Sequence, residues 1–152
     1  MKELRVTPIR NGTVIDHIPA GMSLKVLKIL GITGEKSDST VTVAMRVTSK
    51  KKKLKDIVKV EDRELEKREV DKIALVAPKA TINIIRNYDV KEKHKVKLPE
   101  VARGILKCDN PNCITNLREP VETEFVVISD SPVRLRCTYC ERELESVVDA
   151  IT

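Results

Sequence analysis

Four cysteines, all between residues 108 and 140, constrain this 152-residue chain more than any other feature. Cys108 and Cys113 enclose four residues, 23 residues follow, and Cys137 and Cys140 enclose two. Two short loops at this spacing can bring four thiolates to one tetrahedral Zn²⁺. No thiol is left over to act as a nucleophile, and four protein ligands leave no open position for water or substrate. The spacing therefore predicts one structural zinc per chain rather than a catalytic one. A segment of about fifty residues has little core of its own, and a metal clamp supplies what burial alone does not. In a reducing compartment such cysteines are metal ligands; in a secreted chain they would form two disulfides.

The rest of the chain favours the reducing compartment. Met1-Lys2-Glu3-Leu4 does not open a signal peptide, and no apolar run is long enough to span a bilayer. The expectation is a cytoplasmic protein with no membrane partner. Its net charge of +6 is unevenly spread. Residues 1–98 carry 23 Lys/Arg against 13 Asp/Glu, whereas residues 99–152 carry 6 against 10. The front part suits an anionic ligand. The acidic rear part argues against a zinc ribbon that grips nucleic acid through its phosphates. Charged residues reach 34% and glutamine is absent, a composition expected of a thermophile's protein.

Hydrophobic periodicity predicts the elements. Val14–Ile18 is a short strand ended by Pro19. Gly21–Leu30 is a helix stopped by Gly31, and Thr40–Thr48 alternates as a half-buried strand. Lys50–Lys53 forms an exposed turn, because four adjacent ammonium groups repel, and Lys55–Val60 is the return strand. Asp62–Ala77 is a helix closed by Pro78, and Thr81–Val90 is a final strand. An edge segment at Leu4–Ile9 precedes them. The order β-α-β-β-α-β is that of a ferredoxin-like α+β domain, with both helices on one face of an antiparallel sheet. Lys91–Glu100, charged and ending in Pro99, reads as a linker, which places a domain at 1–98 and a small antiparallel β zinc domain at 99–152. In the latter, Phe125–Ile128 and Val133–Arg136 read as strands joined by Ser129–Pro132.

Catalytic constellations are missing. His17 and His94 lie in no zincin motif, and Ser129 and Ser131 lie in no nucleophile elbow. The five glycines form neither a P-loop nor a dinucleotide fingerprint. The chain does not read as an enzyme. Two alternatives to an anion-sensing module stay open on residues alone: a nucleic-acid-binding zinc ribbon and a metal-dependent enzyme. Against the first, Phe125, Tyr88 and Tyr139 are the only aromatics, too few for a stacking platform. Asp16-His17 reads either as an ordinary strand end or as the mouth of an anion pocket near Lys59 and Lys93. A carboxylate accepts from ribose hydroxyls, and ammonium groups neutralise phosphate.

Gly12-Thr13-Val14-Ile15-Asp16-His17-Ile18-Pro19-Ala20-Gly21 is followed by Ala77-Pro78-Lys79-Ala80-Thr81, by Asn87-Tyr88-Asp89-Val90, and by the spaced cysteines with Asn112-Cys113-Ile114. Together they resemble the aspartate carbamoyltransferase regulatory chain over nearly the whole length. The resemblance implies a non-catalytic subunit of pyrimidine biosynthesis. Its front domain would bind CTP, ATP and, together with CTP, UTP as allosteric effectors. Its zinc domain would dock on the catalytic chain, and its homodimers would bridge catalytic trimers. It further implies that Ile9, Tyr88 and Val90 line the base, with Val14 packed nearby. Asp16 and Lys59 would hold the ribose region, and His17 and Lys93 would face the triphosphate. Asn83 and Ile85 would sit beside base and phosphates, and Lys55 would border the pocket. Cys108, Cys113, Cys137 and Cys140 would bind zinc. Two features depart from the family pattern: Pro8 in the base-facing segment has no N–H to offer, and the turn at Lys50–Lys53 is unusually basic.

Overall fold

In the computed structural model, residues 8–32, 39–51, 53–118 and 121–152 are described. The predicted edge segment falls largely outside them; of it, Pro8 is exposed and Ile9 is buried. Among the described residues, eight strands and three short α-helices run in the order β1 Gly12–Pro19, α1 Ser23–Ile29, β2 Val41–Thr48, β3 Leu54–Glu61, α2 Lys67–Val76, β4 Thr81–Arg86, β5 Asp89–Lys95, β6 Val101–Arg103, β7 Glu124–Asp130, β8 Val133–Cys137 and α3 Val147–Ala150.

The first sheet has the order β2-β3-β1-β4-β5, with all its pairs antiparallel. Its first four strands reproduce the ferredoxin-like arrangement expected from the β-α-β-β-α-β order. Residues of alternating parity on β1, β3 and β4 face the helices: Ile15, Ile18, Val58, Val60 and Ile82 pack with Val26 of α1 and with Ile73 and Ala74 of α2. All are essentially solvent-free, and burying side chains of this size contributes about 1.5–3 kcal/mol each.

Three boundaries differ from the sequence expectation. The final strand does not run from Thr81 to Val90; it breaks at Asn87-Tyr88, where both residues adopt positive φ (52° and 67°). A two-residue turn of that kind matches the twist of a hairpin, so the chain reverses. Residues expected to begin a linker instead form β5, paired from Lys95 with Thr81 to Asp89 with Arg86. Every residue of β5 is exposed, which is why its pattern carries no apolar signal. The connection shortens to the few residues after Val96, whose N–H still donates to the Ala80 carbonyl at 3.0 Å. The second helix starts at Lys67 rather than Asp62. Asp62 has φ 57°, and its N–H is taken by the Asn11 carbonyl at 2.9 Å; the helix begins only where Glu69 accepts from the Glu66 N–H at 3.1 Å. The first helix likewise begins at Ser23, two residues late.

The lysine turn joins β2 to β3, closed by Ser49 N–H to the Lys53 carbonyl at 2.8 Å, with Lys50, Lys51 and Lys53 exposed and Lys52 outside the described residues. The second sheet, in the order β6-β7-β8, contains both strands expected there. It packs Phe125 and Leu135 against Ile105, Leu106 and Leu144. The chain end folds back on it: Lys107 N–H donates to Ala150 at 2.8 Å, and Thr152 N–H donates to Ile105 at 3.0 Å. The two cores touch. Leu75 of α2 is buried in the second, and Leu98 and Ile151 pack against both. Arg68 Nη2 donates to the Gly104 carbonyl at 2.7 Å, and Lys72 Nζ donates to the Thr152 carbonyl. No helix among the described residues is long and apolar enough to cross a membrane.

Candidate functional site

Residues directly opposite one another in an antiparallel sheet share a face, so the register alone assembles the helix-free side of the first sheet. Lys93 of β5 pairs with Asn83 of β4, Asn83 with Val14 of β1, and Val14 with Lys59 of β3. The row spans three strand spacings, about 14 Å, with a lysine at each end. On one side of it, Val90 pairs with Ile85 and Ile85 with Gly12. On the other, Lys95 pairs with Thr81 and Thr81 with Asp16. Asn83 Nδ2 donates to the Val14 carbonyl at 3.4 Å, which fixes the centre of the row.

A bulge in β1 shapes the next corner. Ile15 pairs with Val58 but Ile18 with Asp56, so Asp16 and His17 together face the single residue Ile57. His17 takes the extra position with φ 59°, and bulges of this type re-aim a side chain. Its ring Nδ1 lies 3.1 Å from Thr81 Oγ1, and its N–H donates to Asp16 Oδ1 at 2.6 Å. Lys55 Nζ stands 2.9 Å from Asp16 Oδ1 and 3.2 Å from Oδ2. Burial alone would raise the Asp16 carboxyl; the hydrogen bond from Lys55, the His17 N–H and the neighbouring positive charges outweigh it and hold its pKa below the ordinary value.

Behind the bulge lies Asp56, fully buried on the helix side. Its Oδ2 accepts from Gly21 N–H at 3.0 Å and Ser23 N–H at 3.1 Å, and its Oδ1 accepts from Arg46 N–H at 2.9 Å. Burial opposes ionisation, yet donors from Arg46, Ser23 and Gly21 bring its pKa below the usual value. A carboxylate with several backbone N–H donors can sit buried as an anion without a cationic partner.

At the far rim, the Asn87-Tyr88 turn meets the entering chain. Tyr88 N–H donates to the Arg10 carbonyl at 2.9 Å, and Asn87 N–H donates to Asn11 Oδ1 at 3.1 Å. Tyr88 is 65% exposed, while Ile9 is buried. Gly12 is required here: a Cβ would stand 2.1 Å from the Val60 carbonyl, and φ is 146°.

In the second sheet, Cys108 and Cys113 come from the loop after Leu106, and Cys137 and Cys140 come from the end of β8 and the turn beyond it. Their four sulfurs all lie within 4.8 Å of one another. Cys108 and Cys140 are 3.6 Å apart, and Cys113 and Cys137 are 3.7 Å apart. A regular tetrahedron with metal–sulfur bonds of about 2.3 Å has edges of about 3.8 Å, so the donor set fits such an ion closely, and all four cysteines are free. Burial pushes the Cys108 thiol up to about 12 and raises Cys137. Burial also works against the Cys140 thiolate, but donors from Arg142, Asn110, Cys108 and Cys137 bring it down to about 7. Thr115 Oγ1 donates to Cys113 Sγ at 3.2 Å, and Asn116 Nδ2 donates to the carbonyls of Cys108 and Asn110 at 2.9 and 2.8 Å. Supports of this kind orient metal ligands.

Val14, Asp16, Lys55, Lys59, Asn83, Ile85, Val90 and Lys93 therefore share one sheet face with His17 at its corner, and Ile9 and Tyr88 lie at its rim. Thr81, Asn11 and Asp56 escaped the sequence reading. Nothing in their local pattern distinguishes a threonine in a strand, an asparagine in a loop or an aspartate in an alternating run; only the pairing register reveals their places.

Two family models match the chain. Residues 4–97 match the aspartate carbamoyltransferase regulatory chain, allosteric domain, and residues 100–148 match the metal binding domain of the same chain. Curated relatives agree over nearly full length. The aspartate carbamoyltransferase regulatory chain of Pyrococcus horikoshii is 61% identical over 145 residues, covering 95% of this chain and 95% of its own. That of Methanothermobacter thermautotrophicus is 60% identical, covering 95% and 91%. That of Korarchaeum cryptofilum is 56% identical, covering 99% and 98%.

Proposed function

Because the chain belongs to the aspartate carbamoyltransferase regulatory chain family, a family of non-catalytic subunits, we propose that its first sheet senses nucleoside triphosphates and that its metal-clamped second sheet docks on the catalytic chain. CTP, ATP and UTP are the effectors, and the setting is control of pyrimidine biosynthesis in the cytoplasm. The division runs as 1–98 for the effector domain and 99–152 for the zinc domain, and two such chains pair as a regulatory dimer.

One observation carries the reading of the first sheet: the register lines Lys93, Asn83, Val14 and Lys59 in a single row beside the Asp16–Lys55 pair. Such a surface offers apolar contact and amide groups in the middle and cations at the ends, which complements a flat base joined through ribose to a polyanion. Ile9, Tyr88 and Val90 take the base, with Val14 and Ile85 as apolar floor. Asp16 accepts from the ribose with Lys59 beside it. His17 and Lys93 take the phosphates, Asn83 lies between them, and Lys55 borders the pocket while holding Asp16 ionised.

Cys108, Cys113, Cys137 and Cys140 hold Zn²⁺. Bound there, the ion would offset two of the four thiolate charges and cross-link two loops, a structural contribution only. Regulation then requires that the nucleotide bind the two quaternary states unequally, by ~1–3 kcal/mol in typical cases. The test is activity of the reconstituted holoenzyme against aspartate concentration, with and without CTP, ATP and UTP. A shift of the saturation curve by any of them supports the proposal; nucleotide curves that all superimpose on the nucleotide-free one, or a purified chain that holds no zinc, refute it.

A further inference from the structure

The turn Asn87-Tyr88 is fastened to the entering chain, and among the described residues Asn11 supplies the one side chain in that fastening. In a two-residue hairpin turn the N–H groups of the central residues lie outside the strand ladder. Here both are captured, Tyr88 N–H by the Arg10 carbonyl at 2.9 Å and Asn87 N–H by Asn11 Oδ1 at 3.1 Å. Asn11 is itself immobilised: its carbonyl accepts from the Asp62 N–H at 2.9 Å, and the next residue, Gly12, packs so tightly on β3 that no Cβ fits. Asn11 is half-buried, and its acceptor is presented from a backbone that has no room to drift.

We infer that Asn11 is a positioning residue for base recognition: its side-chain carbonyl locks the Asn87-Tyr88 turn against residues 9–10, so that Tyr88 and this backbone form a single edge for the base of a nucleoside triphosphate. Asn11 does not touch the ligand. It acts through the turn, and both turn residues sit in the left-handed region, which a hydrogen bond at the turn helps to maintain. The inference rests on the effector reading of the first sheet.

The test uses the full-length zinc-loaded chain and calorimetric titration with CTP, ATP and inorganic tripolyphosphate. Asn11→Ala should weaken CTP and ATP by ~5–10-fold, the scale of one lost hydrogen bond, and leave tripolyphosphate unchanged. Asn11→Asp, which keeps the Oδ1 acceptor, should restore both nucleotides to within about threefold of the native affinity. Equal losses for all three ligands, no loss at all, or an Asn11→Asp variant as weak as Asn11→Ala would each overturn the positioning role. Tyr88→Ala separates the two levels. If that variant binds CTP and ATP normally, the base edge itself is wrong, and the role of Asn11 falls with it; if Tyr88→Ala weakens them while Asn11→Ala does not, the edge stands and only the role of Asn11 is lost.

Discussion

Lys55 and Asp16 form a bridge across two strands, the ammonium of one 2.9 Å from the carboxylate of the other, at the corner where β1 bulges. Burial at this corner opposes the carboxylate charge, and Lys55 is its largest single support. Lys55→Met should therefore move the Asp16 titration midpoint upward, toward or past the ordinary value of about 3.9. A carboxyl-detected NMR titration of both proteins checks this, and an unmoved midpoint would show that the pair is decorative.

Asp56 faces the opposite side and should matter for stability rather than binding. Asp56→Ala strands three backbone donors in a dry interior, a loss of roughly 3–5 kcal/mol. The sign with pH follows from its depressed pKa. The unfolded carboxyl titrates near about 3.9 and the folded one lower, so the Asp56 contribution is complete above that range and disappears as pH falls through the folded value. Denaturant unfolding between neutral pH and pH 3 should show the native chain losing stability on acidification, and the Asp56→Ala chain losing less.

Lys93→Ala should weaken CTP and ATP together, because the proposed pocket gives this residue to the phosphates, which the two nucleotides share. Loss of one partly screened charge contact corresponds to ~3–10-fold in affinity. Competitive binding of the two nucleotides gives the answer; a variant that altered only the preference between bases would move Lys93 to the other end of the ligand.

Cys137→Ala, or removal of zinc by a chelator, should unfold the second sheet and abolish association with the catalytic chain, while nucleotide binding survives in the first. Losing one of four thiolates breaks a site whose binding energy is folding energy. Gel filtration with the catalytic chain, alongside calorimetry with CTP, separates the two effects, and normal assembly of the variant would remove the docking role of the zinc domain.

The charged surface should make the chain heat-resistant, with an unfolding midpoint above about 65 °C. Arg134 meets Glu143 through two hydrogen bonds of 2.5 and 2.8 Å, and Arg86 reaches Glu64 at 2.5 Å. Differential scanning calorimetry of the metal-loaded protein provides the measurement.

How much of this was legible depended on where the signal lies in the chain. The helix-facing strands could be read because Ile15, Val58 and Ile82 must alternate with polar neighbours to be buried on one side only. The cysteine cluster could be read because its spacing is itself the chemistry. β5 could not, since a strand with no buried residue has no hydrophobic period, and its only marker was the Asn87-Tyr88 turn. The start of α2 was misplaced because Leu65 continues the apolar pattern beyond the point where Asp62 turns left-handed. Asp56 and Asn11 were invisible for a different reason: each acts on backbone groups of other elements, ten to 76 residues away, and no local composition encodes that.

Leu75 rides on a helix of the first sheet but lies inside the core of the second. A cut at residue 98 would strip it of its cover and leave a greasy spot on one fragment and a hollow in the other. Hybrid subunits assembled from two species at that position therefore have to match this side chain to the core it enters, Leu106 and Phe125 among its members, or the seam between donor and recipient will not close.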